Sequence, residues 1–147
     1  MLSLCIGDEV MTRHEQRYKA MTILYQTFLY DSNHIDYDVT DIINEQLEEK
    51  NNFITNLVNG VIENKEEIDK LANSYLDNWN INRLGFTDQA ILRIGIYEIT
   101  KTDTPDITCI DEAVELSKKY SDDKVCKMIN GVLDKIYHNK NNNVLEK

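Results

Sequence analysis

The residue types that most often carry catalysis or bind metals are present in this chain, but not in patterns that make a site. Its three histidines, His14, His34 and His138, stand far apart, and none pairs with a cysteine or carboxylate at a metal-ligand spacing. The three cysteines, Cys5, Cys109 and Cys126, form no C-x-x-C pair. They suggest neither a disulfide framework nor a zinc site, and read as reduced thiols of a cytoplasmic protein. There is no phosphate-cradling glycine loop, no G-x-S-x-G and no H-E-x-x-H. The 26 acidic residues are what the solvated faces of helices require. No catalytic group, metal or cofactor is therefore assigned, and the chain reads as a non-enzyme.

The chemistry that is legible is electrostatic. Arg13, His14 and Arg17 cluster where a helix begins, and an N-terminal helix end attracts anions such as phosphate. Arg13 and Arg17 fall within about 60° of Leu24 and Phe28 on a helical wheel of about 100° per residue. The basic residues thus extend a stripe that is apolar further on, and an unpaired guanidinium is rarely buried. This predicts that the first two turns project beyond the core or line a groove at its rim. Two readings stay open: an anion or RNA site, or a solvated helix end carrying a Glu15–Lys19 pair at i, i+4. Lys124, Lys127 and Lys135 form a second basic set near the C-terminus, equally readable as ordinary surface lysines. The net charge of -10 excludes a generally basic nucleic-acid binder, so RNA binding would need a local patch and a partner.

The elements that must position these groups are helices. One proline, Pro105, and five glycines in 147 residues leave few breakers. Thr12 with Glu15 is a capping box, followed by a helix over about Arg13 to Tyr30 with the stripe Met21, Leu24, Tyr25, Phe28 and Leu29. Ile42, Ile43 and Leu47 mark a second helix, and Phe53 to Ile62 a third. A fourth is capped by Asn64 and runs to Trp79, which with Tyr75 and Tyr97 is expected in the core. A fifth, capped by Thr87, is apolar on most faces and so is the central helix. Ile110 to Ser117 mark a sixth. Ser121 caps the last, whose stripe is Val125, Met128, Ile129, Val132, Leu133 and Ile136. The reading is one all-α domain of about six to seven helices over residues 12–137. Residues 1–11 form a dispensable N-terminal extension, with Met11 a candidate initiator, and 138–147 a polar flexible tail. No apolar run is long enough for a membrane span.

Five segments, read together, resemble the NusB family of transcription antitermination factors. They are Arg13 through Gln26; Leu57-Val58-Asn59-Gly60-Val61 with Asn64 to Asp69; Trp79 to Leu84 with Asp88 to Arg93 and Tyr97-Glu98; Ile110 to Lys119; and Asn130-Gly131-Val132-Leu133-Asp134-Lys135. They cover about residues 12–137 in family order.

The resemblance implies a NusB-like fold of two packed small helical bundles. It implies binding of boxA RNA in nascent ribosomal leader transcripts, as a heterodimer with the ribosomal protein NusE. With other Nus factors on RNA polymerase, that complex suppresses premature termination. The family's RNA face carries over to Arg13, His14, Arg17 and Tyr25 on the first helix and to Lys124, Lys127 and Met128 on the last. Its NusE surface carries over to Asp88 and Glu98, although Asp88 reads equally as a first-turn helix acid. Without RNA, the same face could serve a homodimer. Glu15 and Gln16 thin the basic cluster, and Met128 stands where the family often has an aromatic ring. On this reading Arg17→Glu should weaken RNA binding without unfolding the domain. Two rivals remain: a helical adaptor that binds NusE but little RNA, and the related domain found ahead of certain ribosomal RNA cytosine methyltransferases. The absence of a cofactor fold after residue 137 favours a free-standing factor.

Overall fold

Thr12 starts the first helix as its sequence predicts. Its hydroxyl accepts from the Glu15 N–H at 3.0 Å, and the Glu15 carboxylate accepts from the Thr12 N–H at 2.8 Å. The structure is a computed structural model describing residues 11–146; the extension expected before Met11 lies outside the described residues. Among the described residues seven α-helices follow one another: α1 (Arg13–Ser32), α2 (Val39–Gln46), α3 (Asn52–Glu63), α4 (Lys65–Tyr75), α5 (Phe86–Lys101), α6 (Asp106–Tyr120) and α7 (Asp123–Glu146), with one 3₁₀ turn, Ile81–Arg83, between α4 and α5. There is no strand among the described residues, and no helix among them is long and apolar enough to cross a membrane.

The other expected caps differ. The Asn64 amide donates back to the Gly60 carbonyl at 2.8 Å, closing α3 and making no cap bond to α4. Gly85, not Thr87, holds the cap position of α5. Ser121 ends α6 and sends its hydroxyl to Asp88, so Asp122 caps α7 instead, accepting from the Val125 N–H at 2.8 Å. The segment expected as a polar flexible tail from His138 continues as helix to Glu146. Lys140 helps to hold it, donating to the Ile99 carbonyl at 2.8 Å and to Asp106 at 3.1 Å.

The central helix is α5, whose Ala90, Ile91, Leu92, Ile94, Ile96 and Ile99 are each 2% exposed or less. It packs on α1 and α3 of the N-terminal bundle and on α4, α6 and α7 of the C-terminal one. Its apolar residues point almost all round because it has neighbours almost all round. Contact with α3 is close: a Cβ at Gly60 would lie 2.2 Å from the Tyr97 ring, so only glycine leaves room for that tyrosine.

Two buried ion pairs fix α5 between the bundles. Arg93, with no exposed surface, donates to both oxygens of Asp69 on α4 at 2.7 and 3.0 Å and lies over the Phe28 ring at 4.5 Å. Glu98, one and a half turns on, accepts from Arg17 on α1. Trp79, expected in the core, is 38% exposed, with the Arg83 guanidinium 4.7 Å from its ring centroid. It falls in the turn between α4 and the 3₁₀ segment, off any helix stripe, so helical periodicity could not place it.

Candidate nucleic-acid interface

Helix α1 presents two different faces. Arg13, Arg17, Leu24 and Phe28 share one, and about 100° away His14, Tyr18 and Tyr25 share another. The first was expected to carry the RNA contacts. The structure turns it inward at Arg17, which is 4% exposed. Its guanidinium grips Glu98 in a two-bond fork, Nε to Oε1 at 2.8 Å and Nη2 to Oε2 at 2.9 Å. Glu98 is itself only 1% exposed. Burial alone would lower the Arg17 pKa, but the hydrogen bond and charge of Glu98, with the charge of Glu112 3.8 Å from Nη1, hold it above its ordinary value.

Two expected site residues therefore satisfy each other. Arg17 is not displayed for RNA, nor Glu98 for a protein partner. Of the basic residues Arg17 neither projects beyond the core nor lines a groove at its rim; it enters the core, because a carboxylate on the central helix meets it there. Arg13 is exposed, but its guanidinium lies over the Phe53 ring at 4.2 Å and donates to Gln16 at 2.8 Å. It borders an open cleft of about 700 Å³ between α3 and the end of α5, and of the expected RNA residues it alone lines that cleft.

The second face of α1 is the exposed one. His14 meets Glu112 of α6 at 2.8 Å. Tyr18, one turn on, stacks on Tyr120 at the end of α6, with ring centroids 5.2 Å apart and planes 25° apart. Tyr25 is 41% exposed and sets its ring edge-on to Phe86 at 6.0 Å. Lys119 lies 5.5 Å from the Tyr120 ring, and Tyr120 leads within three residues to α7. There Lys124 and Lys127 are exposed and make no ion pair among the described residues, while Met128 is half-buried against the core. Asp88 sits where α5 begins, half-buried and bonded to Ser121.

The structure thus brings His14 and Tyr25 onto the face of α1 that adjoins α6, whose end leads into the lysines of α7. It withdraws Arg17 and Glu98, and it sends Arg13 to another side. The stacked pair Tyr18 and Tyr120 was missed. Its signal was available in part, since His14, Tyr18 and Tyr25 recur at i, i+4 and i+11; the meeting with Tyr120 depends on how α1 crosses α6. No group of three or more His, Cys, Asp or Glu able to hold a metal ion occurs among the described residues.

Comparison with known proteins agrees in sequence and in fold. The model of the NusB family matches residues 14–138. The transcription antitermination protein NusB of Campylobacter jejuni strain RM1221 is 42% identical over 125 residues, spanning 84% of this chain and 93% of that one. Its counterpart in Listeria monocytogenes serotype 4a is 39% identical over 127 residues, spanning 86% and 96%. Among solved structures, T. maritima NusB superposes with a TM-score of 0.72 at 32% identity, over 86% of this chain and 90% of that one. A crystal structure of antitermination factors NusB and NusE in complex with dsRNA gives 0.69 at 29% identity, over 87% and 98%. A core built around a central helix, matched over nearly its whole length by proteins of one kind, makes this chain a member of the NusB family.

Proposed function

We propose that this protein is a cytoplasmic transcription antitermination factor that binds boxA RNA of nascent ribosomal transcripts together with the ribosomal protein NusE. In that complex it helps RNA polymerase, with other Nus factors, to pass premature termination sites. The observation that carries the reading is the exposed face running from His14, Tyr18 and Tyr25 through Tyr120 to Lys124 and Lys127. It combines flat rings, on which unpaired bases can stack, with cations free to meet phosphates. A strongly acidic chain has only such a local patch to offer RNA, so the partner must supply part of the affinity. Asp88, at the edge of this face, is the candidate contact for NusE.

The test is fluorescence anisotropy of a short single-stranded boxA-like RNA, titrated with this protein alone and with the NusE of its own organism. Weak binding alone and at least tenfold tighter binding with NusE, about 1.4 kcal/mol, is expected. NusE binding without RNA binding would leave a protein adaptor in place of an RNA-binding factor.

A further inference from the structure

Gly131 interrupts the longest helix of the protein. Glycine inside a helix is disfavoured against alanine by its backbone entropy, and is normally explained by a neighbour that needs the space. Gly131 has no such neighbour: a Cβ built there meets nothing within 4 Å. The empty space over it is an open groove of about 220 Å³ between α7 and the turn that follows α4. Exposed Trp79 and half-buried Tyr75 line one side, Met128 and Lys135 the other.

Lys124, Met128, Gly131 and Lys135 fall within about 60° of one another along α7, so Lys124 stands on the same helix face as Lys135, which lines the groove. Neither lysine, nor Arg83 over the Trp79 ring, makes an ion pair among the described residues, and Asp77 is the one acid in the lining. An aromatic wall with unpaired cations at and beside it, Lys135 in the lining and Arg83 over the Trp79 ring, fits an anionic partner that carries flat rings. The groove is smaller than the roughly 300 Å³ or more of ordinary small-molecule sites, so it suits a single planar ring of a larger ligand.

We propose that this groove is a base-stacking site for single-stranded RNA, with one base against Trp79 above Gly131 and its flanking phosphates at Lys124 and Lys135. The proposal rests on the RNA-binding reading above and extends the RNA path along α7 beyond Met128. The missing side chain at Gly131 is what lets the base approach the helix, and Trp79 supplies the ring that Met128 does not.

Trp79 is the chain's one tryptophan, so 5-fluorotryptophan gives a single fluorine resonance at the site. The labelled protein is mixed first with unlabelled NusE and then with the boxA-like RNA. Alongside, anisotropy measures RNA binding by the NusE complexes of the native protein, Trp79→Leu and Gly131→Leu. The resonance should move on addition of RNA, and Trp79→Leu should weaken binding about 5- to 100-fold, the range of one lost stacking partner. Gly131→Leu should weaken it comparably while raising the melting temperature by a few degrees, because the open space accepts the side chain and a helix former replaces glycine. A more stable protein that binds RNA worse cannot be explained by misfolding.

The proposal is overturned if RNA binds but the resonance stays still and both variants bind normally; the antitermination reading would survive that result. It is equally overturned if NusE alone moves the resonance and RNA adds nothing, which would make the groove a protein contact. If no RNA binds even with NusE, both the proposal and the reading beneath it fall.

Discussion

Replacing Arg17 by methionine should destabilise the whole domain. The side chain is 4% exposed and its partner Glu98 is 1% exposed, and two bonds of 2.8 and 2.9 Å join them. Removing the guanidinium leaves a buried carboxylate with no cation in hydrogen-bonding reach, which costs roughly 3–5 kcal/mol. For a domain of this size each kcal/mol shifts the melting temperature by about 2–4 °C, so a fall of about 6–20 °C is expected. Glu98→Gln should cost less, because its amide oxygen can still accept from Arg17 and Glu112 remains 3.8 Å away. The double change Arg17→Met with Glu98→Leu should recover most of the loss, since an apolar pair of similar volume is often as stable as the ions it replaces. Arg17→Glu should be the worst, setting a third carboxylate beside Glu98 and Glu112.

Thermal and urea unfolding followed by circular dichroism reads all four changes, and Glu98→Leu alone completes a double-mutant cycle with Arg17→Met. A loss under about 1 kcal/mol for Arg17→Met would refute the buried pair. So would an Arg17→Glu protein that melts normally and binds RNA poorly, which would return Arg17 to the RNA face.

With Arg17 engaged in the core, the cations of the proposed RNA face are Lys119, Lys124 and Lys127. Three phosphate contacts predict a slope of log K against log salt near -2, at about -0.7 per contact for a single strand, and Lys124→Ala should make it shallower by about 0.7; this is the part of the slope contributed by this protein, after subtraction of NusE's own. Cys109 is buried, and with the charges of Glu98 and Asp106 this pushes its thiol up to about 12 from 9.0. Thiol alkylation at pH 8 should therefore spare Cys109 until denaturant is added. Because the folded pKa lies above the unfolded one, folding holds the proton: stability is unaffected below about pH 9 and falls between about 9 and 12, at up to about 1.4 kcal/mol per unit. Cys109→Ala should flatten the decline measured by urea unfolding across that window.

The elements that a sequence could show were those that repeat with helical period. The stripe on α7, the apolar α5 and the Thr12–Glu15 box all stand where their patterns put them, because each is settled by residues within a few turns. What could not be read required knowing which element lies opposite. Arg17 looked like a surface cation because an unpaired guanidinium does not go inside. Glu98 is 81 residues away, and nothing local announces the pair. The same blindness moved the α7 cap from Ser121 to Asp122, since Ser121 bonds to Asp88 across 33 residues. Trp79 was misplaced for the opposite reason: large aromatics are usually core, but this one belongs to a turn with no stripe to join.

These long-range pairings also fit the RNA face proposed for an acidic protein. Arg93 and Arg17 neutralise Asp69 and Glu98 inside the fold, each in a two-bond fork to its carboxylate. The charges that hold α5 between the bundles are thereby removed from the surface, where they would otherwise add to or oppose the field felt by RNA. What remains outside near the stacked tyrosines is lysine, flexible and strongly hydrated, which suits phosphate contacts that must form and release as a transcript emerges. The buried arginines serve rigidity, and on the proposed face the lysines serve encounter. The division explains why the arginine most suggestive of RNA binding in the sequence is one whose loss should destabilise the domain.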